Sequence, residues 1–247
     1  MDRNDRGLPG LRTSLELVTT LVLLAASLAV LSDRTGGVGA TRTGGTPPPP
    51  PPPVELPADP VSLAGAALKG SESASVAIIE FAEFECPYCL RFVQNTLPAL
   101  TTKYIDTGRV LFALRHFPLE TIHQDALGAS EAAECAGRQG RFWEMHDAIF
   151  RRPAQLARPT LLGRAGELAL DMEAFEACLA GEAIDAIRRD QALGQAVGIR
   201  GTPAFLVGLI QDDGTVRVTH RVSGARALAD YEAVLDEALA LAASPDR

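Results

Sequence analysis

A short apolar run, VAIIEF from Val76 to Phe81, is followed at once by Phe84-Glu85-Cys86-Pro87-Tyr88-Cys89, and this junction constrains the fold more than any other part of the chain. The run is rich in β-branched residues and has the length of a strand buried on both faces. From Tyr88 to Tyr104 the apolar spacing turns helical, with Pro98 expected to kink the helix. Val110 to Leu114 reads as a second buried strand. The segment is therefore a β-α-β unit with a CxxC pair where the first strand passes into the helix.

The rest of the chain organises around that unit. Between about residues 118 and 197 only helical patterns appear. Residues 124–136 are rich in alanine, and Phe142, Met145, Ile149 and Phe150 recur at i, i+3, i+7 and i+8. After Gly201-Thr202-Pro203, Ala204 to Leu209 and Val216 to Val222 read as strands joined by the turn Asp212-Asp213-Gly214, a hairpin. Tyr231, Val234, Leu235, Ala238 and Leu239 then mark an amphipathic helix. The order β-α-β, helical block, β-β-α predicts an α/β body over residues 61–247, long enough to bury a sizeable core. The net charge of −8 is spread along the chain with no basic stripe, which argues against nucleic acid as a partner.

Residues 1–60 do not read as part of that body. Leu17 to Ser32 carries no charge and follows Arg3, Arg6 and Arg12. As a helix it would span about 24 Å, slightly short of a bilayer core of about 30 Å. It is either a signal anchor or the apolar region of a signal peptide cleaved after Ser27-Leu28-Ala29. The anchor, over residues 1–34, is preferred because the run exceeds the usual ~7–15 residues of a signal peptide. Residues 35–60, with the unbroken run Pro47 to Pro53, form a semi-rigid polyproline linker. Either reading places the body outside the cytoplasm, in the periplasm or cell envelope.

There are four cysteines, and an exported chain permits disulfides. A CxxC pair is a redox dithiol, a structural bridge or half of a zinc site. Zinc is disfavoured because the histidines are scattered at 116, 123, 146 and 220. The redox reading leads because Cys86 falls at a helix N-terminus, where free N–H groups and the positive end of the dipole stabilise a thiolate. Cys86 is thus expected to be the nucleophile and Cys89, one turn deeper, the resolving thiol. Glu80, inside the apolar strand, is expected to relay the proton of Cys89 if it is buried; an outward-facing carboxylate is the alternative. Glu83 and Glu85 read as solvated rim charges, His116 as a surface loop residue, and Phe142 and Trp143 as packing residues. Arg115 suggests no role. Cys135 and Cys178, both in predicted helices of the block, are expected to form a structural disulfide; two buried free thiols or an internal electron shuttle are the alternatives. Thr202-Pro203 on its own reads as an ordinary trans bond opening a strand.

Taken together, FAEFECPYCLRF (81–92), LRHFPLETIHQDALGASEAAECAGRQGRFWEMHDAIF (114–150) and VGIRGTPAFLVG (197–208) resemble the DsbA-like thiol–disulfide oxidoreductases of the thioredoxin superfamily, over roughly residues 72–242. The resemblance implies a thioredoxin-like fold with an inserted helical subdomain. It implies that Pro203 is a cis-proline facing the CxxC with Thr202 beside it, and that Glu80 occupies the position of a buried acid. It implies thiol–disulfide exchange on exported proteins with free thiols, most simply dithiol oxidation, with reduction or isomerisation as alternatives and a non-redox binding or chaperone module as a more distant one. A membrane redox partner would reoxidise the pair, and neither metal nor organic cofactor is needed. The Pro-Tyr dipeptide and the tethered amino terminus depart from the family pattern, which leaves poise and partner open.

Overall fold

The computed structural model describes residues 55–244. The strands are β1 (Val61–Ser62), β2 (Ala67–Lys69), β3 (Val76–Ala82), β4 (Val110–His116), β5 (Ala204–Ile210) and β6 (Thr215–Ser223). They form one sheet in the order β1-β6-β5-β3-β4-β2. β3 pairs in parallel with β4 and antiparallel with β5, so that Glu80 lies opposite Leu114 on one side and Phe205 on the other. The helices are α1 (Pro87–Asn95), α2 (Leu97–Leu100, continued by a π turn at Thr101–Ile105), α3 (Ala126–Gly137), α4 (Phe142–Arg151), α5 (Arg158–Glu167), α6 (Met172–Ala177, continued by a π turn at Cys178–Glu182), α7 (Ile184–Ala196) and α8 (Leu228–Ala242). This is a thioredoxin-like α/β fold in which α3 to α7 stand between β4 and β5.

The period-2 geometry of β3 sends its residues into two cores. Val76, Ile78 and Ala82 join Phe92 of α1, Tyr231 and Leu235 of α8 and the helical block. Ala77, Ile79 and Phe81 join Phe117, Ile199 and, from α7, Leu193. Glu80 shares the parity of the first set, so its carboxyl lies on the face covered by α1. The close approach of α7 needs Gly194, where a Cβ would stand 2.7 Å from the Phe117 ring. Gly208 meets the same demand at the β5–β6 bulge, where a Cβ would come within 2.1 Å of the Arg217 carbonyl oxygen.

The helix predicted over Tyr88 to Tyr104 breaks at Thr96, because Pro98 cannot donate to the Gln94 carbonyl and its ring collides with it. β1 and β2, two and three residues long, were not expected. They take their extended form from pairing with β6 and β4 rather than from a pattern of their own.

His116 and Arg115 correct the sequence reading. Neither lies on an exposed loop: β4 runs to His116, and the two residues are 3% and 4% exposed. Asp190 of α7 explains why. Its Oδ1 accepts from the Arg115 guanidinium at 2.7 Å and its Oδ2 from the His116 backbone N–H at 2.9 Å. Arg115 also donates to the Ser62 and Ala64 carbonyls at 2.8 and 2.9 Å. One guanidinium thus ties the backbone at Ser62 and Ala64, β4 and α7 together, and the ion pair is buried on both sides. Trp143 is partly buried against the core and donates its indole N–H to the Leu68 carbonyl at 2.7 Å.

Cys135 of α3 and Cys178, at the end of α6, are bonded through their sulfurs with Cα atoms 5.7 Å apart. The bridge spans a sequence separation of 43 residues inside the helical block. Replacing both cysteines by alanine should lower the urea midpoint, with a loss of up to about 4 kcal/mol in the chain-entropy model. The Cys86 alkylation rate should stay unchanged. An unaltered midpoint would show that the bridge contributes nothing to stability.

Candidate active site

Cys86 is the N-cap of α1, with φ −70° and ψ 119°, and Pro87 occupies the first helical position. That placement follows from the local sequence. A proline at N1 needs no N–H and is preset for helix, while the residue before it is pushed into extended geometry. The reactive sulfur therefore stands at the mouth of a helix, facing free backbone N–H groups. Among the described residues Cys86 and Cys89 are the unbridged cysteines, and both are buried.

The two thiols are driven apart. Cys86 is lowered to about 5, first by a hydrogen bond from Cys89, then by Thr202 and by the backbone N–H groups of Cys89 and Tyr88, against the opposing effect of burial. In the thiol form Cys86 Sγ donates to the Thr202 carbonyl at 3.3 Å. Once the proton is lost, the buried Thr202 hydroxyl, which has no hydrogen-bond partner among the described residues, is the donor on hand for the anion. Cys89 is raised well above an ordinary thiol, first by burial, then by its hydrogen bond to Cys86 and by the charges of Glu80 and Cys86. One thiol is thus a nucleophile and good leaving group at neutral pH, and the other holds its proton.

Glu80 is fully buried, and neither of its carboxylate oxygens has a hydrogen-bond partner among the described residues. Burial raises it well above the ordinary carboxylate range, and the Cys86 charge adds to the rise. It is not the outward-facing carboxylate of the alternative reading. A neutral carboxyl beneath Cys89 can supply or take the proton of that thiol.

The Thr202–Pro203 peptide is cis. Thr202 and Pro203 line a groove of about 480 Å³ together with Tyr88, Ile199, Arg200 and Arg221. Tyr88, between the two cysteines, is 52% exposed at its rim. The groove opens beside the CxxC and is large enough for a few side chains of an extended polypeptide.

Glu83 does not follow the sequence reading. It is 1% exposed, and its carboxylate accepts from the Glu85 N–H at 2.7 Å and contacts the His123 ring. His123 sits some 40 residues away in sequence, so no local signal could have paired them. Glu85 is half-buried, its carboxylate accepting from the Asp125 N–H at 2.8 Å. His116 shares an aromatic cluster with Phe84, Phe142 and His146. It is pushed down to about 3, first by burial, then by His146 and Arg115. Among the described residues no group of three His, Cys, Asp or Glu is placed to hold a metal ion.

Two measurements check this geometry. Alkylation of the reduced protein at about pH 6 should label Cys86 in preference to Cys89, with the rate rising through a midpoint near 5. Preferential labelling of Cys89 would contradict the assignment. Glu80→Gln should stabilise the reduced protein near neutral pH. A carboxyl raised in the folded state keeps its proton where the unfolded chain releases it. Its stabilising contribution is therefore whole below the unfolded value and fades as pH rises. Unfolding of the variant across that range should show a flatter pH dependence than wild type; equal slopes would refute the buried neutral carboxyl.

Comparison with known proteins fits this arrangement. The Thioredoxin family matches residues 64–220. A stretch of 141 residues is 37% identical to the Na(+)/H(+) antiporter NhaA 3 of Salinispora tropica, covering 57% of this chain and 21% of that protein. The chain thus spans about a fifth of the length of that curated relative. Among solved structures, alpha-DsbA1 of Wolbachia pipientis is 29% identical with a TM-score of 0.64, over 74% of this chain and 94% of that one. A thioredoxin-like oxidoreductase from Silicibacter pomeroyi DSS-3 is 26% identical with a TM-score of 0.58, over 71% and 92%. With its model matched over most of the folded body, the chain belongs to the thioredoxin family, and its fold is similar to that of alpha-DsbA1.

Proposed function

We propose that the chain exchanges disulfides with exported proteins in the oxidising direction. The observation that carries this is the place of Cys86 at the N-cap of α1, where the Cys89 thiol and backbone N–H groups hold its thiolate and lower it to about 5. Whatever stabilises the Cys86 thiolate stabilises the reduced protein relative to its disulfide, so the pair gains electrons more readily.

The steps follow from the two thiols. A substrate thiolate attacks Cys86 Sγ of the Cys86–Cys89 disulfide, the S–S bond breaks, and Cys89 leaves and takes up a proton, with Glu80 beneath it as the donor. The substrate is then joined to Cys86. A second substrate thiolate attacks the substrate sulfur of this mixed disulfide, and Cys86 departs as a thiolate held by the N-terminus of α1 and the Thr202 hydroxyl. Two electrons pass from the substrate dithiol to the enzyme. The Thr202-Pro203 segment, opening β5 beside the groove, offers backbone against which a substrate strand can pair. Reoxidation falls to a membrane redox partner, which would complete the cycle.

The location proposed is extracytoplasmic, in the periplasm or cell envelope. It rests on the uncharged run Leu17 to Ser32 and the proline tether, which lie outside the described residues. That run, within about residues 14–32, would anchor the chain in the membrane, with residues 35–60 as linker and 61–247 as the catalytic domain. Among the described residues no helix is long and apolar enough to cross a membrane.

Equilibration with glutathione buffers of graded ratio gives the deciding number. Oxidase function expects a potential nearer to about −180 mV, the value of protein disulfide isomerase, than to about −270 mV, that of thioredoxin. A value at or below the thioredoxin figure would assign the chain to reduction.

A further inference from the structure

The groove beside the CxxC carries a charge opposite to that of the chain. The sequence has a net charge of −8, yet the residues lining the groove include two arginines, Arg200 and Arg221, and no acid. Arg221 is held in place. It stands on β6 opposite Leu206 of β5, and its guanidinium donates to the Val197 carbonyl. The same guanidinium lies over Gly198, with Nη1 and Nη2 3.6 and 3.7 Å from the place of a Cβ there. Its Nε is buried and has no hydrogen-bond partner among the described residues. Arg200, in the loop between α7 and β5, is exposed and makes no hydrogen bond or ion pair among the described residues. A third guanidinium, that of Arg91, lies 5.0 Å from the centre of the Tyr88 ring at the rim. The acids near Cys86 are engaged elsewhere: Glu83 accepts from the Glu85 N–H, and Glu85 from the Asp125 N–H.

We propose that this groove selects substrate segments that carry a carboxylate side chain beside the reacting cysteine, with Arg200 and Arg221 as the residues that recognise it. The inference deepens the exchange reading given above and rests on it. Groove and sulfur form one site, because Thr202 lines the groove and its carbonyl accepts from Cys86 Sγ at 3.3 Å. Arg200 stands two residues before Thr202, at most about 7 Å along the backbone. The groove measures about 480 Å³, room for a few side chains, so its two arginines face one occupant. A substrate joined to Cys86 and laid along Thr202-Pro203 brings the neighbours of its own cysteine to them. A guanidinium is cationic throughout the working pH range and offers a carboxylate two parallel N–H groups, so the attraction has a geometry as well as a sign. The preference also runs against the field of the whole chain, whose net charge of −8 favours cationic partners at long range.

The test uses the full chain with Cys86 and Cys89 oxidised to their disulfide, and three reduced peptides. Each peptide has two cysteines, flanked on both sides by Glu, by Gln or by Lys. The readout is the second-order rate of a single turnover, divided by that peptide's rate with hydroxyethyl disulfide, a neutral reagent that removes differences in intrinsic thiol acidity. At low ionic strength the order should be Glu over Gln over Lys, with about fivefold between the extremes and less at high salt. Arg200→Glu should reverse the order, and this exposed residue has no bond in the fold to lose. Arg221→Gln should narrow the ratio of the extremes to about twofold. Equal rates, Lys first, or a Glu preference that survives either substitution undiminished would overturn the proposal. So would variants that slow all three peptides alike and keep the ratio, the pattern of a damaged groove. If no peptide is oxidised while the reduced chain reduces the peptide disulfides, the oxidising direction fails, and the order of the reduction rates, Glu first or not, decides the proposal.

Discussion

The arrangement depends on β3 being covered on both faces. A strand with helices above and below it can carry an ionisable side chain that lacks a partner only as a dry, neutral group, and Glu80 is that group. The same burial places the end of β3 under the first turn of α1, so the Cys89 thiol is dry as well. Cys86, at the cap, is the point where this closed interior meets backbone N–H groups. The contrast between the two thiols is therefore a contrast between two depths along one helix turn, and it needs no added cation at the sulfur.

A single register shift would dissolve this. Moving β3 by one residue against β4 and β5 would send Glu80 to the face of Phe81 and Phe117 and bring an apolar side chain under the cysteines. On that far face α7 packs closely on β3, where a Cβ at Gly194 would stand 3.1 Å from the Phe81 ring and 2.7 Å from that of Phe117. Packing precision on the far side of the sheet is thus part of the chemistry on the near side.

Much of this was legible in the sequence, because the features concerned are local. The apolar run, the CxxC, the proline at N1 and the hairpin turn each sit within a few residues of what they determine. The apolar run was enough to single out Glu80, and the family resemblance to give it the position of a buried acid. What escaped was long-range. His116 reads as a surface loop residue and Arg115 as one without a role until Asp190, some 75 residues on, is brought against them. Glu83 looks like a rim carboxylate until His123 covers it. β1 and β2 are too short to carry any periodicity and exist as strands through their partners. In each case burial is conferred by a residue remote in sequence, and no pattern within a window reports it.

The Arg115 guanidinium has a mechanical consequence. Among the described residues the first element is β1, an edge strand paired to β6 and held by the Arg115 bonds to Ser62 and Ala64. A pull on the chain ahead of Val61 would load that edge and this one side chain before reaching β3. Because Arg115 belongs to β4 and lies opposite Phe81 of β3, its grip would carry such a load from the rim of the sheet to the strand beside the cysteines.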